Sequence, residues 1–188
     1  CKKKCNRMRI YSYIEGTKVN GPGYRFCVWM QGCKRNCDGC FNIEACDMDG
    51  GYEIAVEELI GIIRRQKYDG VSVSGGEPFY QSFELEEFLR QARLEGLNTL
   101  VYTGYTYEEL LPDNEAVLKF CDYIIDGPYR KNIPSVCKYA GSGNQRFLKL
   151  IDGKIVENMT EMNSDDSDCE LIINPDGTIL STGIFDIF

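Results

Sequence analysis

Cys33, Cys37 and Cys40 are separated by three and two intervening residues, a spacing that lets one short loop wrap three thiolates round a single inorganic centre. Thiolate sulfur is the ligand that both iron–sulfur clusters and zinc prefer. On a four-iron cluster, three protein ligands leave one iron open. An open position marks chemistry, where four thiolates would point to electron transfer or structure. Lys34 and Arg35 lie inside the same loop, offset its negative charge and favour the thiolate forms. The rival reading is a structural zinc site with Cys27 or Cys46 as fourth ligand. Zinc ribbons normally pair two Cys motifs, and this chain shows one compact triplet.

The remaining composition narrows the chemistry. The chain of 188 residues contains ten cysteines and no histidine, which removes Ser-His-Asp triads, Cys-His dyads and every histidine acid/base scheme. Ten cysteines could make five disulfides in a secreted scaffold. The chain is large enough to do without such staples, however, and its cysteines crowd into residues 27–46 instead of spanning it. Lys+Arg is 21 against Asp+Glu 29, a net charge of −8, which opposes wide contact with nucleic-acid phosphates. No apolar run approaches the roughly 18 residues of a membrane helix, and no secretory h-region with a small-residue cleavage site is present. A reduced, cytoplasmic protein is therefore expected, with no nucleic-acid or membrane partner.

The elements that must position the cysteines follow a rhythm. Arg9–Ile14 and Arg25–Met30 read as short strands, separated by the loop Asn20-Gly21-Pro22-Gly23. Glu53–Gln66 has helical apolar spacing, Val71–Val73 reads as a buried strand ending in Ser74-Gly75-Gly76, and Ser82–Glu95 as a second amphipathic helix stopped by Gly96. Leu97–Tyr102 closes in Thr103-Gly104-Tyr105, Pro112–Cys121 reads as a short helix, and Tyr123–Ile125 ends in Asp126-Gly127-Pro128. Strand, glycine-rich turn and helix recur three times, the pattern of a parallel sheet with right-handed crossovers. Loops after such strands gather on one rim, which places Gly75, Gly76, Gly104 and Gly127 together. After Asn144 the pattern changes to short strands at Phe147–Leu150, Glu170–Ile173 and Thr178–Ser181, the last two joined by the turn Asn174-Pro175-Asp176-Gly177. Residues 158–168 read as a polar, acidic surface loop. Cys121 and Cys137 read as core thiols. Cys1 and Cys5 frame Lys2–Lys4 within residues 1–8, which read as a flexible N-terminal extension to a single domain spanning 1–188.

The run Asn20-Gly21-Pro22-Gly23-Tyr24-Arg25, then Trp29-Met30-Gln31-Gly32-Cys33, then Cys37-Asp38-Gly39-Cys40-Phe41-Asn42 resembles the radical S-adenosylmethionine activases of glycyl-radical enzymes. Ser74-Gly75-Gly76-Glu77-Pro78, Tyr102-Thr103-Gly104-Tyr105-Thr106, Asp126-Gly127-Pro128-Tyr129 and Gly141-Ser142-Gly143-Asn144-Gln145-Arg146 continue the likeness in family order. Within that superfamily the chain is most similar to the branch that activates anaerobic ribonucleoside-triphosphate reductase. The resemblance implies an α/β fold, a partial, open β/α barrel with mainly parallel strands and a short antiparallel C-terminal hairpin. It also implies an oxidoreductase that carries a [4Fe–4S] cluster on Cys33, Cys37 and Cys40, with S-adenosylmethionine chelating the fourth iron. One-electron reduction would then yield a 5′-deoxyadenosyl radical, which takes hydrogen from a glycine Cα of a large glycyl-radical partner. A flavodoxin-like protein is the implied electron donor.

The same resemblance places cofactor contacts at Gly39, Cys40, Phe41, Gly75, Gly76, Glu77, Tyr102, Thr103, Gly104 and Asp126. Gly75 and Gly76 offer backbone groups to the methionine ammonium, and Phe41 a face to the adenine. Plainer readings stand beside these: a core phenylalanine at Phe41, a turn cap at Asp126, and Glu77 holding its own loop in shape. The residues alone leave two other functions open. One is a radical enzyme acting on a small molecule or peptide; the other is a non-catalytic zinc or iron–sulfur module.

Overall fold

A computed structural model of the chain describes residues 6–135, 137–161, 169–173, 177 and 179–183. Ten strands and three α-helices follow one another: β1 (Arg7–Thr17), β2 (Arg25–Met30), β3 (Tyr52–Ala55), α1 (Val56–Ile63), β4 (Gly70–Gly75), α2 (Ser82–Leu94), β5 (Asn98–Tyr102), α3 (Tyr107–Leu118), β6 (Tyr123–Asp126), β7 (Arg146–Ile151), β8 (Lys154–Asn158), β9 (Cys169–Ile173) and β10 (Ile179–Gly183). Eight strands form one open sheet in the order β3-β1-β2-β4-β5-β6-β7-β8, and β9 and β10 form a separate antiparallel hairpin. The four central strands, β2, β4, β5 and β6, run parallel, and the flanking pairs are antiparallel. The expected α/β architecture is present, with a parallel centre, β3 and β8 at the two edges among the described residues, and the C-terminal hairpin.

The alternation of side chains along the central strands sorts them onto two faces. Phe26, Val28 and Met30 of β2, Val71 and Val73 of β4, Val101 of β5 and Ile124 of β6 pack with Leu59, Ile63, Leu85, Phe88, Leu89 and Leu118 of the three helices. Each fully buried aliphatic or aromatic side chain there contributes roughly 1.5–3 kcal/mol. The intervening residues Leu100, Ile125 and Phe147 face the other way and pack with Cys137 and Ala140 from the segment that leads into β7. Cys121 and Cys137 are core thiols, as their surroundings in the sequence suggest.

Several boundaries differ from those read in the sequence. Arg7 and Met8 are not part of a flexible extension: they begin β1, pair with Ala55 and Ile54, and Met8 is fully buried. Residues Glu53–Ala55, expected at the start of the first helix, instead belong to edge strand β3. The third helix starts five residues before Pro112, at Tyr107, behind a complete capping box of Thr106 and Glu109. Pro112 sits inside that helix, and the backbone leaves helical geometry at Asn114. Strand β8 was not expected at all. Residues 1–5, most of the acidic segment 158–168 and residues 174–176 of the expected turn lie outside the described residues.

α2 ends as predicted. Gly96 takes φ +80°, while the Leu97 N–H donates to the Ala92 carbonyl and the Gly96 N–H to that of Arg93. This 6→1 and 5→2 pair is a Schellman stop, which favours glycine at that position.

Candidate functional site

The loops that leave the C-terminal ends of β2, β4, β5 and β6 are tied to one another by backbone and buried carboxylate hydrogen bonds. After β2, the Gly32 N–H donates to Ala45 O at 2.8 Å and the Cys33 N–H to Cys46 O at 3.0 Å, so the short 3-10 helix Ile43–Cys46 closes the cysteine loop against the strand that launches it. After β4, the Gly76 N–H donates to Met30 O and the Glu77 N–H to Gly32 O. A side chain at Gly76 would run into the Gly32 carbonyl, and Gly75 adopts φ +107° with the Met30 backbone against it. These two glycines let the β4 turn lie directly on the root of the cysteine loop.

Glu77 joins the next loop. It is 1% exposed, and its carboxylate accepts from Thr103 Oγ1 at 2.8 Å, Gly104 N at 2.9 Å and Phe79 N at 3.2 Å. Burial raises its pKa above the ordinary glutamate value, even though these donors and the Arg35 charge pull it down. The Thr103 N–H donates to Ile125 O and the Gly127 N–H to Tyr105 O, which carries the tie on to β6.

Within the cysteine loop, Cys33, Cys37 and Cys40 are each partly exposed, and the Arg35 N–H reaches Cys33 Sγ at 3.5 Å. Burial pushes the Cys33 thiol up and the Cys46 thiol up to about 12, so a metal centre must displace protons as it binds. Cys46 Sγ lies 4.0 Å from Cys40 Sγ. Among the described residues, no three Cys, Asp or Glu side chains converge closely enough to enclose one metal ion. Cys33, Cys37 and Cys40 nevertheless supply three partly exposed thiols from one short loop, and thiolate is the ligand a [4Fe–4S] cluster takes, so the donor set fits a cluster held by three cysteines.

Two orphaned buried atoms lie on the same rim. Arg35 Nε has no partner; its side chain packs against Gly104, and its guanidinium lies 4.4 Å above the Tyr105 ring. Asn144 Oδ1 is likewise unpaired, while its Nδ2 donates to Pro128 O at 2.7 Å. Buried polar atoms are usually paired, so a polar ligand at this mouth has ready partners. Phe41 is 46% exposed and lies 4.9 Å from the Tyr129 ring, and the Lys131 stem covers Gly39.

The structure therefore brings Gly39, Cys40, Phe41, Gly75, Gly76, Glu77, Thr103 and Gly104 to one rim with Cys33 and Cys37. Two of the singled-out residues serve the scaffold as placed. Tyr102 packs on the Leu100–Ile125–Phe147 cluster. Asp126, 1% exposed, accepts from Tyr107 N at 2.7 Å and pairs with Arg146 through Nε and Nη2; it ties the starts of α3 and β7 together, and its described partners lie outside the following turn that the plainer reading had it cap. Sequence reasoning missed Tyr105, Tyr129 and Lys131. The aromatic residue directly after Gly104 and the Pro-Tyr after Gly127 were the available signals.

Residues 19–148 match the family described as a 4Fe-4S single cluster domain. The anaerobic ribonucleoside-triphosphate reductase-activating protein of Enterobacteria phage T4 is 32% identical over 142 residues, covering 72% of this chain and 90% of that protein. The pyruvate formate-lyase-activating enzyme of Clostridium pasteurianum is 36% identical over 154 residues, 77% of this chain and 63% of that longer protein. Among solved structures, QueE from Escherichia coli aligns over 53% of each chain with a TM-score of 0.43 and 16% identity. The chain belongs to the radical S-adenosylmethionine activases of glycyl-radical enzymes, a family that works with a [4Fe–4S] cluster and S-adenosylmethionine. No helix among the described residues is long and apolar enough to cross a membrane.

Proposed function

We propose that this protein activates a large glycyl-radical enzyme, anaerobic ribonucleotide reductase, by removing hydrogen from one glycine of that partner. The observation that carries the reading is the rim itself: three partly exposed thiols on one loop, whose root packs directly on a glycine-glycine turn. The similarity to the phage activating protein over 90% of its length supports the choice of partner.

Cys33, Cys37 and Cys40 hold the cluster, which when bound with S-adenosylmethionine supplies reductive cleavage of the sulfonium and a carbon-centred radical. The chain's own residues do the positioning. Gly75 and Gly76 present bare backbone to the methionine end, Thr103 and Gly104 are locked in place by Glu77, and Phe41 with Tyr129 offers an aromatic wall to the adenine. Arg35 Nε and Asn144 Oδ1 provide a donor and an acceptor for the cofactor's polar groups. A glycine is the fitting substrate because, lacking Cβ, it allows a foreign backbone to come close. A flavodoxin-type protein supplies the electron.

The test is anaerobic reconstitution with iron and sulfide, then dithionite and S-adenosylmethionine, with 5′-deoxyadenosine scored by chromatography. The wild type yields product, and Cys37→Ala yields none. Mixing the loaded protein with the large reductase chain then gives a glycyl-radical signal by electron paramagnetic resonance. A protein that binds one zinc and no iron under these conditions would overturn the enzyme reading. Cleavage without a radical on the reductase would overturn the choice of partner.

A further inference from the structure

Cys46 belongs to the cysteine loop but not to the triplet, and its placement gives it a use. Its thiol is 4.0 Å from that of Cys40, and its carbonyl accepts from the Cys33 N–H. The two candidate partners differ in freedom. Cys33 is pinned, because its N–H is bonded to the Cys46 carbonyl as β2 runs into the loop. Cys40 sits in a turn beyond the strand, held there by a single backbone bond to Cys37 O. Cys46 itself is fixed at the end of a 3-10 helix whose Ala45 is fully buried. A fixed thiol therefore faces a movable one across a gap that a modest shift of the turn closes.

We propose that, when the three-cysteine site carries no cluster, Cys40 and Cys46 form a reversible disulfide that masks one cluster ligand. With a small-molecule disulfide such as oxidised glutathione as oxidant, one thiolate attacks the glutathione disulfide and releases one glutathione. The second thiol then attacks the mixed disulfide and releases the other. One sulfur–sulfur bond forms and one breaks, the two protons pass to the two released glutathiones, and the two electrons lost by the protein reduce the oxidant. The bridge leaves two free ligand thiols, too few for a cluster of this type, until a dithiol reopens it. It also keeps Cys40 off the irreversible part of the oxidation ladder, where sulfinic and sulfonic acids would end its use as a ligand. That consequence for cluster assembly rests on the activase reading; the bridge itself does not.

The experiment uses the full chain, stripped of metal by chelation under reduction and freed of reductant, then exposed anaerobically to oxidised glutathione. Trypsin cuts after Lys34 and Arg35, and cleavage after Glu44 separates Cys37 and Cys40 from Cys46, so the mass of the joined peptides reports a bridge to Cys46. Tandem fragmentation between Cys37 and Cys40 assigns it to Cys40, and a Cys37–Cys46 bridge would overturn the proposal. The expected result is a loss of two thiols per chain, with the fragment from Ala45 joined to the one ending at Glu44 through Cys40. Iron uptake is lost until a dithiol is added. With hydrogen peroxide, Cys46→Ser accumulates sulfinic and sulfonic acid at Cys40, and the wild type does not. A Cys37–Cys40 or Cys33–Cys46 bridge, a stable glutathione adduct, or unchanged thiols would overturn the proposal. Because the readout is peptide mass on cluster-free protein, a failure here leaves the 5′-deoxyadenosine assay untouched, and a failure of that assay leaves the bridge standing.

Discussion

Glu77 carries more of the site than its place in a turn would suggest. One carboxylate satisfies Thr103 Oγ1, Gly104 N and Phe79 N, so it holds the β4 turn and the β5 loop at fixed separation. Glu77→Ala strands these buried donors at about 1–3 kcal/mol each before any relaxation. A loss of roughly 3 kcal/mol in denaturant unfolding is expected, with a matching fall in cluster content at temperatures near the new midpoint. The pH dependence has a definite sign. Burial raises the carboxyl's pKa in the folded protein, so the folded state holds its proton more tightly than the unfolded chain does. This contribution to stability is fully present below the ordinary glutamate value and is lost as pH rises through the raised, folded value. Glu77→Gln does not titrate, so wild type should lose stability relative to it across that window. A difference between the two that stays flat with pH would show that the three donors cancel the effect of burial, and one that runs the other way that they outweigh it. The sequence disclosed that Glu77 holds its own loop; it could not disclose that the holding reaches Thr103 and Gly104, because that contact spans 26 and 27 residues.

Elements were legible where the signal is local. β2 is legible with its observed bounds because Arg25–Met30 is a compact β-forming run, and α2 to within one residue at its end because helical spacing stops at a glycine. β3 was lost because its four residues adjoin α1, and only pairing with β1 makes them a strand. β8 was lost because all five of its residues are exposed and show no apolar alternation. A signal for it did exist: Asp152-Gly153 between β7 and β8 takes φ +49° and +76°, a two-residue hairpin turn of the kind Asp-Gly favours. The start of α3 was misplaced because Pro112 was taken as its first turn, although Thr106-x-x-Glu109 is the stronger start signal. The Glu109 carboxylate accepts from Thr106 N at 2.7 Å and Thr106 Oγ1 from Glu109 N at 3.3 Å. Thr106→Ala should therefore cost about 1 kcal/mol in chemical denaturation, whereas a helix that truly began at Pro112 would leave Thr106→Ala neutral.

Across the whole molecule, the two ends of the parallel strands do different work. At the C-terminal ends lie the cysteines, the glycine turn and the orphaned polar atoms. At the N-terminal ends lies Arg25, fully buried, with Nε on Ser72 Oγ at 2.7 Å, Nη1 on Pro22 O and Asn98 Oδ1 at 2.9 and 2.5 Å, and Nη2 on Val71 O at 2.6 Å. Among the described hydrogen bonds and ion pairs, no carboxylate partners this charge. Its planar fork instead ties β2, β4 and β5 together through neutral acceptors, a geometry that a lysine ammonium cannot reproduce. Functional loops at one end and stability at the other is the division that parallel α/β sheets impose, and here it can be tested by a pair of variants. Arg25→Lys should lower the unfolding free energy by about 3 kcal/mol while the folded fraction assembles its cluster normally, judged by iron per folded chain and visible absorbance. Gly76→Ala should do the reverse, because its new methyl meets the Gly32 carbonyl and displaces the root of the cysteine loop. Iron per chain should fall at temperatures where circular dichroism still reports a folded sheet. If Arg25→Lys lost iron in proportion to Gly76→Ala, the two ends would be coupled through the strands, and cluster assembly would depend on the integrity of the whole sheet and not on the rim alone.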